Sequence, residues 1–100
     1  MQKIIFIGAG SMAEALIHGW IKKSVVNPQT LFISNRSNKE RLQELVEAYD
    51  VNLMEDTTEL QDADLVILAM KPKDARAAME VISPHLGTDT AILSVLAGVS

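Results

Sequence analysis

The stretch IIFIGAGSMAEALIHGW, residues 4 to 20, constrains the fold more than any other part of the chain. Its first four residues are apolar and three of them are β-branched, a run too short for a helix and suited to a strand buried on both faces. Gly8 closes the run and Gly10 stands just beyond it. Ala13, Leu16, Ile17 and Trp20 then fall at i, i+3, i+4 and i+7, which draws one apolar stripe along a helix from about Ser11 to Lys22. Strand, glycine turn and helix together are half of a βαβ unit.

The alternation continues. Asn27 and Pro28 break the chain, TLFIS (residues 30 to 34) reads as a second strand, and Asn38 offers an N-cap to a helix whose stripe is Leu42, Leu45, Val46 and Tyr49. VNLM (51 to 54) makes a short third strand. A polar stretch follows from Glu55 to Asp64, with one helical turn near Thr58 to Gln61. LVILAM (65 to 70) is the most apolar strand and Pro72 stops it. Ala75, Ala78, Met79 and Ile82 mark a third helix, closed by Pro84 and Gly87, and TAILSVLAG (90 to 98) holds the last strand and its turn. Five strands alternating with three helices predict an α/β fold: a Rossmann-like, doubly wound parallel sheet in the order 3-2-1-4-5, helices on both faces. No sixth strand follows the fifth, so residues 1 to 100 read as one dinucleotide-binding domain at the front of something longer.

A strand turning directly into a helix delivers free N–H groups and the positive end of the helix dipole to one point beyond the sheet's carboxyl edge. That point attracts phosphate. Gly8 makes the tight turn, Gly10 lets a pyrophosphate approach the backbone, and Ala13, at the third position of a GxGxxA pattern, lets helix and strand pack closely. The pattern alone is weak; its place after a strand and before a helix makes the phosphate cradle the better reading than a plain turn. Ser11 sits at or near the N-cap, where it serves as cap or phosphate contact, and Met12 faces either core or cofactor. His18 and Glu14 read as solvated surface, and Trp20 as core.

Folds of this kind choose between cofactors at the end of the second strand, where a carboxylate binds the ribose of NAD and repels the extra phosphate of NADP. No acid occurs from Thr30 to Lys39. Ser34, Asn35, Arg36 and Ser37 stand there instead. Arg36 can grip a 2′-phosphate with two parallel hydrogen bonds, and the neighbouring hydroxyls and amides supply further donors, so NADP(H) is preferred with NAD(H) possible. The plainer alternative is a polar turn that leads into the next helix.

Composition excludes several other classes. With 48% apolar and 22% charged residues, 100 residues make one soluble core. The formal net charge of −4, without a stripe of Lys and Arg, argues against nucleic acid or anionic membrane as a partner. The absence of cysteine removes disulfides, thiolate nucleophiles and Cys-ligated metal. The apolar run at the N-terminus is too short for a signal peptide or a membrane span, so the expectation is a cytoplasmic protein.

Four blocks, FIGAGSMAEALIHGW, SNRS, ADLVILAMKPKD and ILSVLAGVS, together resemble the N-terminal half of pyrroline-5-carboxylate reductase and cover a little under half of the chain. The A-x-K-P after strand four and the A-G-V after strand five are the more specific part. The resemblance implies an enzyme that passes hydride from NAD(P)H to the C=N bond of Δ1-pyrroline-5-carboxylate, giving L-proline. It further implies that Ile7, Gly8, Ala9, Gly10, Ser11 and Met12 line the pyrophosphate and nicotinamide. Ser34, Asn35 and Arg36 then hold the adenosine ribose or its phosphate. Ala69, Met70, Lys71 and Pro72 form the loop at the cofactor's middle, and Ala97 and Gly98 border the nicotinamide. Asp56 or Thr57 stands where the family often has a cofactor-binding Asn, a visible departure. The family's substrate site and its dimer interface belong to a helical C-terminal domain outside these residues, so the isolated chain is expected to bind cofactor without turnover. No residue here is an evident catalytic acid, and no metal set occurs. The rival readings are a β-hydroxyacid dehydrogenase, a deazaflavin-dependent NADP reductase, and a dinucleotide-sensing module without chemistry.

Overall fold

The computed structural model describes residues 3–8, 10–34 and 39–96, with the backbone alone of Ser11 and Leu96. Five strands appear: β1 (Ile4–Ile7), β2 (Leu31–Ser34), β3 (Asn52–Leu53), β4 (Leu65–Met70) and β5 (Ala91–Leu96). Three α-helices alternate with them: α1 (Ser11–Lys22), α2 (Lys39–Tyr49) and α3 (Pro72–Ile82). All pairings are parallel and the order is β3-β2-β1-β4-β5, as the alternation predicts.

The period-two pattern of β1 divides the core. Ile4 and Phe6 point to one face, joining Ala13 and Ile17 of α1, Leu42 and Leu45 of α2, and Ile33 of β2. Ile5 and Ile7 point to the other, joining Leu60, Val66, Leu68 and the Ala75, Ala78 and Ile82 stripe of α3. Helices therefore cover both faces, and each apolar stripe in the sequence is the face its helix buries. Ala13 is fully buried, so a larger third residue in the GxGxxA pattern would hold α1 away from the sheet. Trp20 lies half-buried against the first cluster, with its ring 5.7 Å from that of Phe6.

Several boundaries differ from expectation, each for a local reason. The third strand is only two residues long, although the amide of Met54 still donates to Ile33 O at 2.9 Å and carries the pairing one step further. It is an edge strand, paired with β2 alone. Thr30 belongs to a 3-10 turn, Pro28–Thr30, capped by the Asn27 side chain. The helical turn in the polar stretch is longer than expected, a 3-10 helix over Thr57–Asp62. Pro72 ends β4 and also opens α3 from its first turn, where its missing N–H costs nothing. Asn38 lies outside the described residues.

Candidate functional site

The chain runs from β1 to β2 and β3 on one side and to β4 and β5 on the other, so the order reverses between β1 and β4. Crevices beyond the carboxyl ends of strands at such a reversal are where open parallel sheets bind ligands. Gly8 stands at that point and is held on two sides. Its amide donates to Ser34 O of β2 at 2.7 Å. On the other side, a Cβ added to Gly8 would lie 2.6 Å from the carbonyl oxygen of Ala69 in β4, and 3.5 Å from Cε of Met70. Gly8 also has φ +104°, a conformation that L side chains rarely adopt.

Gly10 differs in kind. It is the N-cap of α1, with φ −80° and ψ −167°, and a Cβ added there would meet nothing within 4 Å. No side chain caps the helix. The first-turn N–H groups of α1 thus have no side-chain cap, beside a residue whose Cβ position is open, and the helix dipole adds partial positive charge at the same place. This arrangement accepts an anion. Ser11 is the first helical residue, not the cap; a serine cap would have satisfied one of the N–H groups that Gly10 leaves available.

The other predicted residues gather on the same edge to different degrees. Ile7 and Ser34 are direct cross-strand partners, and Ala69 and Met70 end β4 beside Gly8. Lys71 is exposed and serves as N-cap of α3 through its backbone, its carbonyl accepting from Ala75 N at 2.9 Å. Met12 is half-buried. Asp56 follows β3 on this edge, but its carboxylate is engaged locally: Oδ1 accepts from Thr58 N at 3.1 Å, and Glu59 answers by accepting from the Asp56 amide at 3.1 Å. That capping box gives Asp56 a structural task, and Thr57 begins the 3-10 helix behind it. Ala9, Asn35, Arg36, Ser37, Ala97 and Gly98 lie outside the described residues.

Glu14 corrects the sequence reading. In place of a free solvated carboxylate, the structure shows an ion pair with Arg41 of α2 and a hydrogen bond from Tyr49 Oη at 2.8 Å. The Arg41 guanidinium, and after it the Tyr49 hydroxyl, hold the Glu14 carboxyl below its ordinary range. Reciprocally, the carboxylate pushes the Tyr49 hydroxyl up. His18, one turn on, is exposed as expected but meets the Tyr49 ring edge-on at 5.9 Å. No spacing in the sequence points to this cluster, which forms only where α1 and α2 meet. Among the described residues no group of His, Asp and Glu is placed to hold a metal, and no helix is long and apolar enough to cross a membrane.

The family described as NADP oxidoreductase, coenzyme F420-dependent, matches residues 3–98. The chain belongs to this family. A Bacillus subtilis member of the curated proteins, named pyrroline-5-carboxylate reductase 2, is 46% identical over 101 residues, which span 100% of this chain and 36% of that protein. A solved pyrroline-5-carboxylate reductase from Coxiella burnetii superposes with a TM-score of 0.77 at 28% identity, covering 94% of this chain and 36% of that one. The Plasmodium falciparum pyrroline carboxylate reductase, solved with NADP bound, shares the fold at a TM-score of 0.70 and 24% identity, over 95% of this chain and 33% of the other. The chain thus spans about a third of the length of these relatives. The resemblance seen in the four sequence blocks is met by relatives that carry that name.

Proposed function

We propose that these residues form the NADPH-binding unit of a pyrroline-5-carboxylate reductase. The observation that carries the nucleotide is the open space beside Gly10 at the uncapped start of α1, placed where the strand order reverses. A pyrophosphate fits there, with Gly8 fixing the turn, Ile7 and Met12 flanking it, and Ala69 to Pro72 bordering the cofactor's middle. Ser34, with Asn35, Arg36 and Ser37, takes the adenosine ribose and its 2′-phosphate. Asp56 and Thr57 take part through their backbone, since the Asp56 carboxylate is committed to its cap. Ala97 and Gly98 border the nicotinamide.

The choice of substrate is supported by the relatives' name at 46% identity over the full chain. The bound cofactor supplies a hydride, which passes to the imine carbon of pyrroline-5-carboxylate. This chain's part is to hold the nicotinamide face about 3 to 3.5 Å from that carbon, and such positioning accounts for much of the rate gain. The Glu14 carboxylate is held by Arg41 and Tyr49 and that of Asp56 by its cap, so neither is assigned to protonate the imine nitrogen. The groups that bind substrate, and those that form an oligomer, fall in the two-thirds of the relatives' length that this chain does not match. A cytoplasmic location completes the reading.

Calorimetric titration with NADPH and NADH at one ionic strength, for the wild type and Arg36→Ala, tests it. Tighter NADPH binding that Arg36→Ala reduces to the NADH level supports the cradle and the phosphate clamp. Failure of the wild type to bind either nucleotide overturns the proposal.

A further inference from the structure

β4 ends one residue beyond the full cover of its α3 face. Val66, Leu68 and Met70 alternate to that face, and the first two are 0% and 2% exposed while Met70 is half-buried. The reason lies in β1. Its ladder with β4 stops at Ile7 beside Leu68, and the chain then turns at Gly8, so the last residue of β4 has no strand neighbour on that side. Met70 therefore stands at the rim of the crevice. Its Cε is 3.5 Å from where a Cβ of Gly8 would lie, and its side chain packs on the cluster that includes Ile7, Leu68 and Ala75.

Exposure does not single Met70 out, because Met12, Met54 and Met79 are half-buried too. Its place beside Gly8 does. The chain has no cysteine, so the thioethers are its only sulfur and the first side chains that a peroxide oxidises. A sulfur lone pair attacks one peroxide oxygen; the S–O bond forms as the O–O bond breaks, and the departing oxygen leaves as water or an alcohol. The sulfur loses two electrons and the peroxide gains them. The product, a sulfoxide, is polar where the thioether was apolar, and its oxygen carries partial negative charge.

We infer that Met70 is a site of reversible oxidation by peroxides, and that its sulfoxide weakens nucleotide binding at the Gly8 crevice. The modified side chain loses its fit to the apolar cluster behind Gly8 and sets a negative oxygen beside the turn that receives the pyrophosphate. This inference rests on the NADPH reading above. NADPH and NADH share the pyrophosphate, so both lose affinity together. A methionine sulfoxide reductase reverses the change: two thiols become a disulfide, and the oxygen leaves as water.

The test treats the chain with hydrogen peroxide, with and without saturating NADP⁺, and follows its five methionines by peptide mass spectrometry. Calorimetric titration with NADPH and NADH, and circular dichroism, are measured before and after. The expected result is a sulfoxide at Met70 that NADP⁺ suppresses, with an affinity loss of about fivefold or more for both nucleotides. The helical spectrum should hold, and methionine sulfoxide reductase should restore binding. Met70→Leu keeps the apolar bulk without the sulfur; whatever its starting affinity, the same treatment should change it by less than about twofold. If Met70→Leu does not fold, the wild type decides, through the match between the fraction of Met70 sulfoxide and the fraction of lost binding. A Met70 that stays reduced while the other methionines oxidise overturns the inference. So does an oxidised Met70 with unchanged affinity, a loss that Met70→Leu shares, or a loss of helical signal in step with affinity. Each of these leaves the functional reading standing, whereas an untreated wild type that binds neither nucleotide overturns both.

Discussion

Gly8 and Gly10 look alike in the sequence, and the structure predicts that alanine at each will fail in a different way. At Gly8 an added methyl meets the Ala69 carbonyl oxygen at 2.6 Å and its carbon at 3.3 Å, both backbone atoms of β4, the strand paired with β1. Relief requires β4 to move away from β1, which strains the ladder between them; overpacking of this kind costs about 1 to 3 kcal/mol. The positive φ adds about 1 to 3 kcal/mol for a residue with a Cβ. Taken together, about 2 to 6 kcal/mol is lost from a domain whose whole stability is about 5 to 15 kcal/mol. The melting temperature of Gly8→Ala should fall by roughly 8 °C or more. Gly10→Ala meets open space at an ordinary backbone conformation, so its stability should change by less than about 1 kcal/mol. Its NADPH affinity, however, should fall about tenfold or more, because the methyl occupies the approach of the pyrophosphate. Thermal denaturation and calorimetric titration of the two variants read both effects. A Gly10→Ala protein that melts as early as Gly8→Ala, or that binds NADPH like the wild type, refutes this division of labour.

The pairing of Glu14 with Arg41 and Tyr49 gives a pH signature. Its carboxyl is lowered by Arg41 and then Tyr49, so its contribution is complete above the unfolded Glu value of about 4.3 and is lost as pH falls through the lowered folded value. The Tyr49 hydroxyl is raised, so its share is complete below about pH 10 and is lost as pH rises through the raised folded value. Urea denaturation of the wild type and Glu14→Gln should therefore differ most near neutrality, converge as pH falls through the Glu14 value and narrow only in part at alkaline pH, where the Arg41 pair remains; a constant gap would count against this pairing. Ile17→Ala removes a fully buried side chain beneath α1 and should cost about 2 to 5 kcal/mol in the same assay. Gly87→Ala drives a Cβ into the Gln61 carbonyl, ahead of β5, and should lower stability by about 1 to 3 kcal/mol while the NADPH affinity of the folded protein holds.

The fold was legible because each buried element leaves a period in the chain. The IIFI run, the Ala13 to Trp20 stripe and LVILAM specify strand, helix and strand without help from distant residues, and a parallel sheet follows from their alternation. What escaped depends on contacts between elements. Glu14, Arg41 and Tyr49 meet only once α1 and α2 have settled on the same face of the sheet, and helical spacing does not relate positions on two helices. The cap at Asp56 escaped as well: its carboxylate accepts from Thr58 N, and Glu59, three residues on, completes a capping box that the polar stretch conceals. The separate tasks of the two glycines were legible in the pattern, and the structure adds what each would touch: the Ala69 carbonyl of β4 for Gly8, and nothing within 4 Å for Gly10.

The pairing of β1 bears on how the protein is made. Ile4 lies beside Leu31 on one side and beside Leu65 on the other, the latter about sixty residues later in the chain. At a synthesis rate of 5 to 20 residues per second, the second flank of β1 exists only roughly 3 to 12 s after the strand itself, and the tunnel delays its emergence further. Through that interval IIFI, four apolar residues that end up almost wholly out of water, has at most one of its two flanking strands. Of the five strands, β1 waits longest for a pairing partner, and the crevice beside Gly8 forms only when β4 arrives.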